Sequence, residues 1–165
     1  MTAATLEIDI DISAPAWREA VEELEALSRE VLEAVQREAG LGERAAEISL
    51  VFADDAFVQN LNKTYRDKNT PTNVLSFPAG GDQPQPDGQP DILGDVVLGY
   101  ETCAREAGQD GKALADHTRH LIAHGTLHLL GHDHEEEEDA AIMEALEIRI
   151  LAALGVADPY APVDE

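Results

Sequence analysis

The run His-Gly-Thr-Leu-His-Leu-Leu-Gly-His-Asp-His, residues 124 to 134, can surround one metal ion with three imidazoles. His124 and His128 stand four apart in a stretch with helical spacing of its apolar residues, so both rings leave one helix face on successive turns. His132 cannot extend that pattern, since it lies about 12 Å along the axis from His124 at helical rise. The chain has to turn back instead. Gly131 permits the reversal by taking a left-handed C-cap conformation, and His134 is then placed to swing into the site. His124, His128 and His134 are the expected ligands.

Three neutral imidazoles leave a zinc ion its double charge and a fourth position for water, the arrangement of a catalytic centre. An ion so held lowers the pKa of its water and polarises a phosphoryl or carbonyl oxygen. The spacing is also that of the long zinc-protease motif, but there a glutamate acting as general base follows the first histidine. Gly125 stands in that place here, which argues against peptide cleavage by that route. The plain alternative is a metal-sticky surface tract, because all 6 histidines fall between His117 and His134. The apolar residues among them favour a packed helix. His117, His120 and His132 are expected to face solvent or to donate hydrogen bonds from behind the ligands. Asp133 either orients a ligand ring or caps a turn.

With 165 residues and 44% hydrophobic content, the chain can bury one substantial core, and a single domain over 1–165 is expected. The lone cysteine, Cys103, excludes an internal disulfide framework and reads as a small buried residue. The first residues lack the basic and apolar regions of a signal peptide, so a cytoplasmic protein is expected. No uncharged apolar run approaches the roughly 20 residues of a membrane span. A formal net charge of -23 opposes binding to nucleic acid, which normally needs a basic footprint. Its distribution matters more than its sum: Lys63, Arg66 and Lys68 crowd together with only Asp67 against them. If the fold brings that patch to the metal, it can focus a phosphate there.

Leu6, Ile8, Ile10 and Ile12 alternate with acidic residues, predicting a half-buried strand. From Pro15, the stripe Trp17, Val21, Leu24, Leu27, Val31 and Val35 predicts one amphipathic helix reaching Gly40. Glu47 to Ala53 reads as a strand, and Asp54-Asp55 caps a short helix through Phe57, Leu61 and Tyr65. A short strand over Asn73 to Phe77 stops at Pro78, and residues 79 to 90, almost all Gly, Pro, Asp and Gln, read as a mobile loop. Asp91 to Tyr100 is a strand with a possible bulge at Gly94-Asp95. A helix from about Glu101 halts near Gly108 to Gly111, the histidine helix begins near Ala113, and a last helix runs from Asp139 to Leu154. Ile142, Met143, Leu146, Ile150 and Leu151 mark its apolar side. The order predicts an α+β domain, a small mixed sheet packed with helices, with the histidine helix in the core.

Leu-Asn-Lys-Thr-Tyr-Arg-Asp-Lys-Asn-Thr-Pro-Thr-Asn-Val-Leu-Ser-Phe-Pro (61 to 78), Leu-Gly-Asp-Val-Val-Leu (93 to 98) and the histidine motif, in that order, resemble the bacterial YbeY family of metal-dependent endoribonucleases. The likeness runs from about residue 48 to the terminal Leu-Gly-Val-Ala-Asp-Pro-Tyr. It implies a single-strand-specific endoribonuclease in ribosomal RNA maturation, notably at the 3′ end of small-subunit RNA, and in ribosome quality control. His124, His128 and His134 match the family's metal ligands and Arg66 its important arginine. The partners implied are a small-subunit ribosomal protein and an assembly GTPase of the Era type.

The residues suggest the same kind of chemistry. One zinc ion held by three histidines and a water is expected, and if Arg66 stands beside it, as the resemblance implies, its planar, permanently charged fork suits developing charge on phosphoryl oxygens. His124 and Arg66 are therefore the expected catalytic residues. Lys63, Lys68 and Ser76 are candidate RNA contacts, and Asn69 and Thr70 either join them or build the turn. The ordinary alternative for Arg66 is a surface ion pair with Asp67 or Asp54. Two rival functions remain: a metal-dependent hydrolase of another substrate class, and a non-catalytic ribosome-assembly protein whose ion only pins the helix to its loop.

Overall fold

The structure is a computed structural model that describes residues 6–40, 45–79, 91–132 and 135–160. The alternating N-terminal stretch forms β1 (Leu6–Ile12), its acidic side chains exposed and its aliphatic ones turned inward. β1 pairs in parallel with β2 (Ala46–Ala53), which pairs in parallel with β4 (Asp91–Gly99). β3 (Val74–Pro78) runs antiparallel to β4 at the edge, so the 4-stranded mixed sheet has the order β1-β2-β4-β3. Register puts Ile8 beside Ile48 and Leu50 beside Val96, so one face becomes a continuous apolar layer. The pairing slips one residue between Glu47 and Ile48, opposite Leu93. Gly94 follows the slip with φ 135, and a Cβ there would fall 2.2 Å from the Phe77 carbonyl oxygen, which requires glycine.

The helices are α1 (Ala16–Ala20), α2 (Leu24–Val35), α3 (Asp55–Arg66), α4 (Tyr100–Asp110), α5 (Leu114–Leu129) and α6 (Glu137–Ala153). Side chains of α2, α5 and α6 bury the apolar sheet face, with Leu32, Leu50, Leu98, Ile122, Leu127 and Ile150 fully enclosed. On the opposite face Val58 of α3 joins Ala53, Leu75 and Val97 in a smaller cluster. The expected α+β domain with a central histidine helix is what forms.

Two local expectations need correction. The stripe from Trp17 to Val35 is buried throughout, yet it does not lie on one helix. Val21 is extended and Glu23 left-handed (φ 50) between α1 and α2, and a π-helical turn, Gln36–Gly40, follows α2. Trp17 accounts for the separate first turn: its indole Nε1 donates to the Ala53 carbonyl at 2.9 Å, and its ring meets Phe52 and Tyr100 edge-on. α3 and its cap are as expected, Asp54 accepting from the Phe57 amide at 2.8 Å; Val58 and Asn62 are its buried residues. On α6 Ile142 is exposed, and the inward stripe carries Glu147 instead. The loop expected over 79 to 90 lies outside the described residues from 80 onward; the Ala79 amide donates to the Leu93 carbonyl at 3.1 Å.

Candidate active site

Four residues apart on α5, His124 and His128 bring their Nε2 atoms to 3.1 Å of each other. Two nitrogens bound to one tetrahedral zinc at about 2.0–2.1 Å would stand roughly 3.3 Å apart, so the pair is already close to a shared-ion geometry. Past the helix, Gly131 takes the positive φ expected of it (97°), and the His132 amide closes back on the Leu127 carbonyl at 3.0 Å. His134, the third expected ligand, and Asp133 lie outside the described residues.

Behind His124 stands a group the sequence reading passed over. Glu147 of α6 is 0% exposed, and its Oε1 lies 2.5 Å from Nδ1 of His124. Its Oε2 accepts from the Tyr160 hydroxyl and from Nε2 of His120 at 3.2 Å. Burial alone would raise the carboxyl's pKa, but the hydrogen bonds from His120, His124 and Tyr160 outweigh it and hold the group at about 2. An ionised carboxylate can only accept. In the neutral form needed to hold a metal, His124 would therefore carry its proton on Nδ1 and turn its Nε2 toward His128.

His120, His124 and Glu147 also bring ligand-type atoms within 4.8 Å of one another, a second conceivable way to hold an ion. That set would require His120 and His124 to surrender the very protons they give to Glu147. The cluster is better understood as a brace behind His124. A parallel arrangement fixes His117, whose Nε2 lies 3.0 Å from Oε1 of Glu106, an oxygen that also accepts from Asn73 at 2.9 Å. Of the two alternatives foreseen for His117, the solvent-facing one is wrong, since the ring is buried. His120 is half-buried and, like His117, donates to a carboxylate; only His132 is left without that role among the described contacts.

A cavity of about 650 Å³ is lined by His124 and His128 together with Arg66, Lys68 and Ser76. The fold thus carries the basic patch to the histidines. Arg66 ends α3, and its Nη2 donates to the Ser76 carbonyl at 3.1 Å while the guanidinium lies over the Phe77 ring. Among the described residues it pairs with neither Asp54 nor Asp67. The Ser76 hydroxyl donates to the Gly125 carbonyl at 2.9 Å, so it ties β3 to α5 as well as lining the cavity. Lys68 lines the cavity; Lys63 lies on the exposed side of α3 and does not.

Gly125 has a packing reason of its own. A Cβ there would meet Val96 Cγ1 at 2.7 Å and Ser76 Oγ at 3.0 Å, so α5 lies against β3 and β4 only because the residue is glycine. A glutamate at this position, as in the zinc proteases, has no room. Besides Glu147, sequence reasoning missed Asn62, which is buried against the cavity and donates to the Thr70 carbonyl at 2.9 Å. For Asn62 the signal was available, a polar side chain beside the apolar stripe of an amphipathic helix.

Cys103 is buried as expected and donates its thiol to the Asn73 carbonyl. Desolvation, with Glu106 and Asp55 nearby, pushes its pKa far above the usual thiol range. No helix among the described residues is long and apolar enough to cross a membrane.

Known proteins resemble this chain along most of its length. The family model Endoribonuclease YbeY matches residues 11–155. An Endoribonuclease YbeY of Paramagnetospirillum magneticum is 51% identical over 158 residues, covering 94% of this chain and 96% of that protein. Another, from Methylocella silvestris, is 49% identical over 154 residues, with 93% and 85% covered. A solution structure from Thermotoga maritima matches in fold, with a TM-score of 0.56 at 19% identity, covering 96% of this chain and 100% of that one. With residues 11–155 matched by the family model and a relative 51% identical over 94% of its length, the chain belongs to the YbeY endoribonuclease family.

Proposed function

We propose that this chain is a metal-dependent, single-strand-specific endoribonuclease that acts in ribosomal RNA maturation, at the 3′ end of small-subunit RNA, and in ribosome quality control. The observation that carries the reading is the shared cavity: the paired Nε2 atoms of His124 and His128 face the same space as Arg66 and Lys68. His124, His128 and His134 would hold the ion, for which zinc is the best match to three imidazoles. Such an ion supplies a Lewis acid and activates water near neutral pH.

The chain's own residues account for the rest. Glu147 keeps the His124 proton on Nδ1, away from the cavity. Arg66, anchored at the Ser76 carbonyl, turns the rest of its fork to the phosphoryl oxygens and stabilises the charge that grows on them during cleavage. Lys68 holds a neighbouring phosphate as a point charge. The cavity is lined by residues of the edge strand β3, among them Val74, Leu75 and Ser76. Because the chain carries a net charge of -23, RNA is brought to it by partners, a small-subunit ribosomal protein and an Era-type GTPase, in the cytoplasm.

Peptide hydrolysis by the zinc-protease route is disfavoured by Gly125, whose packing leaves no space for a base. The test is cleavage of one labelled RNA as a single strand and as a duplex, beside a casein substrate, with and without chelator. Chelator-sensitive cutting of the single strand alone is expected. Proteolysis, or RNA binding with no cleavage in any metal condition, would overturn the reading in favour of the peptide hydrolase or the assembly protein.

A further inference from the structure

We propose that Tyr160 is a positioning residue for the metal centre, acting on His124 through Glu147; this rests on the metallonuclease reading above. After α6 the chain reverses at Gly155 (φ 78), where the Val156 amide closes on the Leu151 carbonyl at 2.8 Å. Asp158 then accepts from the Tyr160 amide at 2.8 Å, forming the turn from which the phenol reaches back toward α5. The phenol hydroxyl donates to Oε2 of Glu147, and its ring meets His120 edge-on with centroids 5.6 Å apart.

The consequence is geometric. With Oε2 taken by Tyr160 and His120, Oε1 is the oxygen left to receive Nδ1–H of His124. A carboxylate held at both oxygens cannot rotate, so the plane of the His124 ring and the direction of its Nε2 lone pair are set from α6 and the C-terminal turn. Tyr160 does not line the cavity that holds Arg66 and Lys68. Its influence on that cavity is therefore transmitted, and it should appear in metal affinity before it appears in RNA affinity.

Zinc affinity measured on the full chain by competition with a chromophoric chelator tests this, for wild type, Tyr160→Phe and Glu147→Gln. Loss of the hydroxyl should weaken zinc binding about 10-fold and Glu147→Gln about 10- to 100-fold, the usual range for partners behind a metal ligand. Imidazole nitrogen shifts in the metal-free proteins should show His124 protonated at Nδ1 in wild type and as mixed tautomers in Tyr160→Phe. Unchanged affinity and tautomer in a folded Tyr160→Phe protein overturn the inference. So does a raised KM for RNA with unchanged zinc affinity, which would mean direct substrate contact. If wild type itself binds no zinc, it is the metallonuclease reading that fails.

Discussion

Nδ1 of His124 stands 2.5 Å from Oε1 of Glu147, a carboxylate with no exposed surface. One side chain of the candidate metal centre is thereby built into the packing of α5 against α6. Glu147→Ala would strip His120, His124 and Tyr160 of their common acceptor, and leaving buried donors unsatisfied costs about 1–3 kcal/mol. Urea unfolding of metal-free protein should show a loss of that size. A loss below about 1 kcal/mol would mean that the network is worth no more than a surface pair.

Gly125 offers the opposite kind of test, an addition. Alanine in mid-helix gains about 1 kcal/mol in propensity over glycine, yet the new methyl would be driven into Val96, a fully buried and unyielding neighbour. Overpacking of that sort costs about 1–3 kcal/mol, so Gly125→Ala should be net destabilising in the same assay. A stabilised variant would show that α5 and the sheet can move apart.

The pKa of Cys103 is raised in the folded chain, so its sign in a pH titration is fixed. Above the ordinary thiol value of 9.0 the unfolded chain releases its proton while the folded one keeps it. The thiol's stabilising contribution is thus full below that pH and is lost as pH rises, at up to about 1.4 kcal/mol per pH unit. Wild type should lose stability above pH 9 more steeply than Cys103→Ala. Equal slopes would contradict the burial argument, as would rapid alkylation of the native protein near neutral pH.

Much of this site was legible because spacing encodes it. The separation of His124 and His128 dictates one helix face, and the glycine after the helix announces the turn. Glu147 was harder to see. It falls on the same inward stripe as Met143 and Ile150, but a glutamate in a helix ordinarily signals solvent, and only the three donors around it explain its burial. The break between α1 and α2 was hidden for another reason. Burial periodicity reports which side chains point inward, and Val21 remains buried although its backbone is extended. The meeting of Arg66 with the histidines depends on β3 lying at the sheet edge beside α5, a tertiary fact that no local pattern contains.

Two lysines of the basic patch should behave differently. Lys68 lines the cavity and Lys63 does not. Lys68→Ala should weaken RNA binding and lower the slope of log affinity against log salt by about 1, whereas Lys63→Ala should leave both near wild type. Equal effects would indicate an RNA path along the outside of α3.

The account turns on Arg66 and the histidines serving one reaction in one cavity. Its most direct test is single-strand RNA cleavage by wild type, Arg66→Ala and His128→Ala, with the zinc content of each sample measured alongside. Arg66→Ala should keep its zinc and lose about 100-fold or more in rate, as removal of a transition-state charge partner does, while His128→Ala should lose both zinc and activity. Equal cleavage by all three, or full activity in zinc-free His128→Ala, would contradict it.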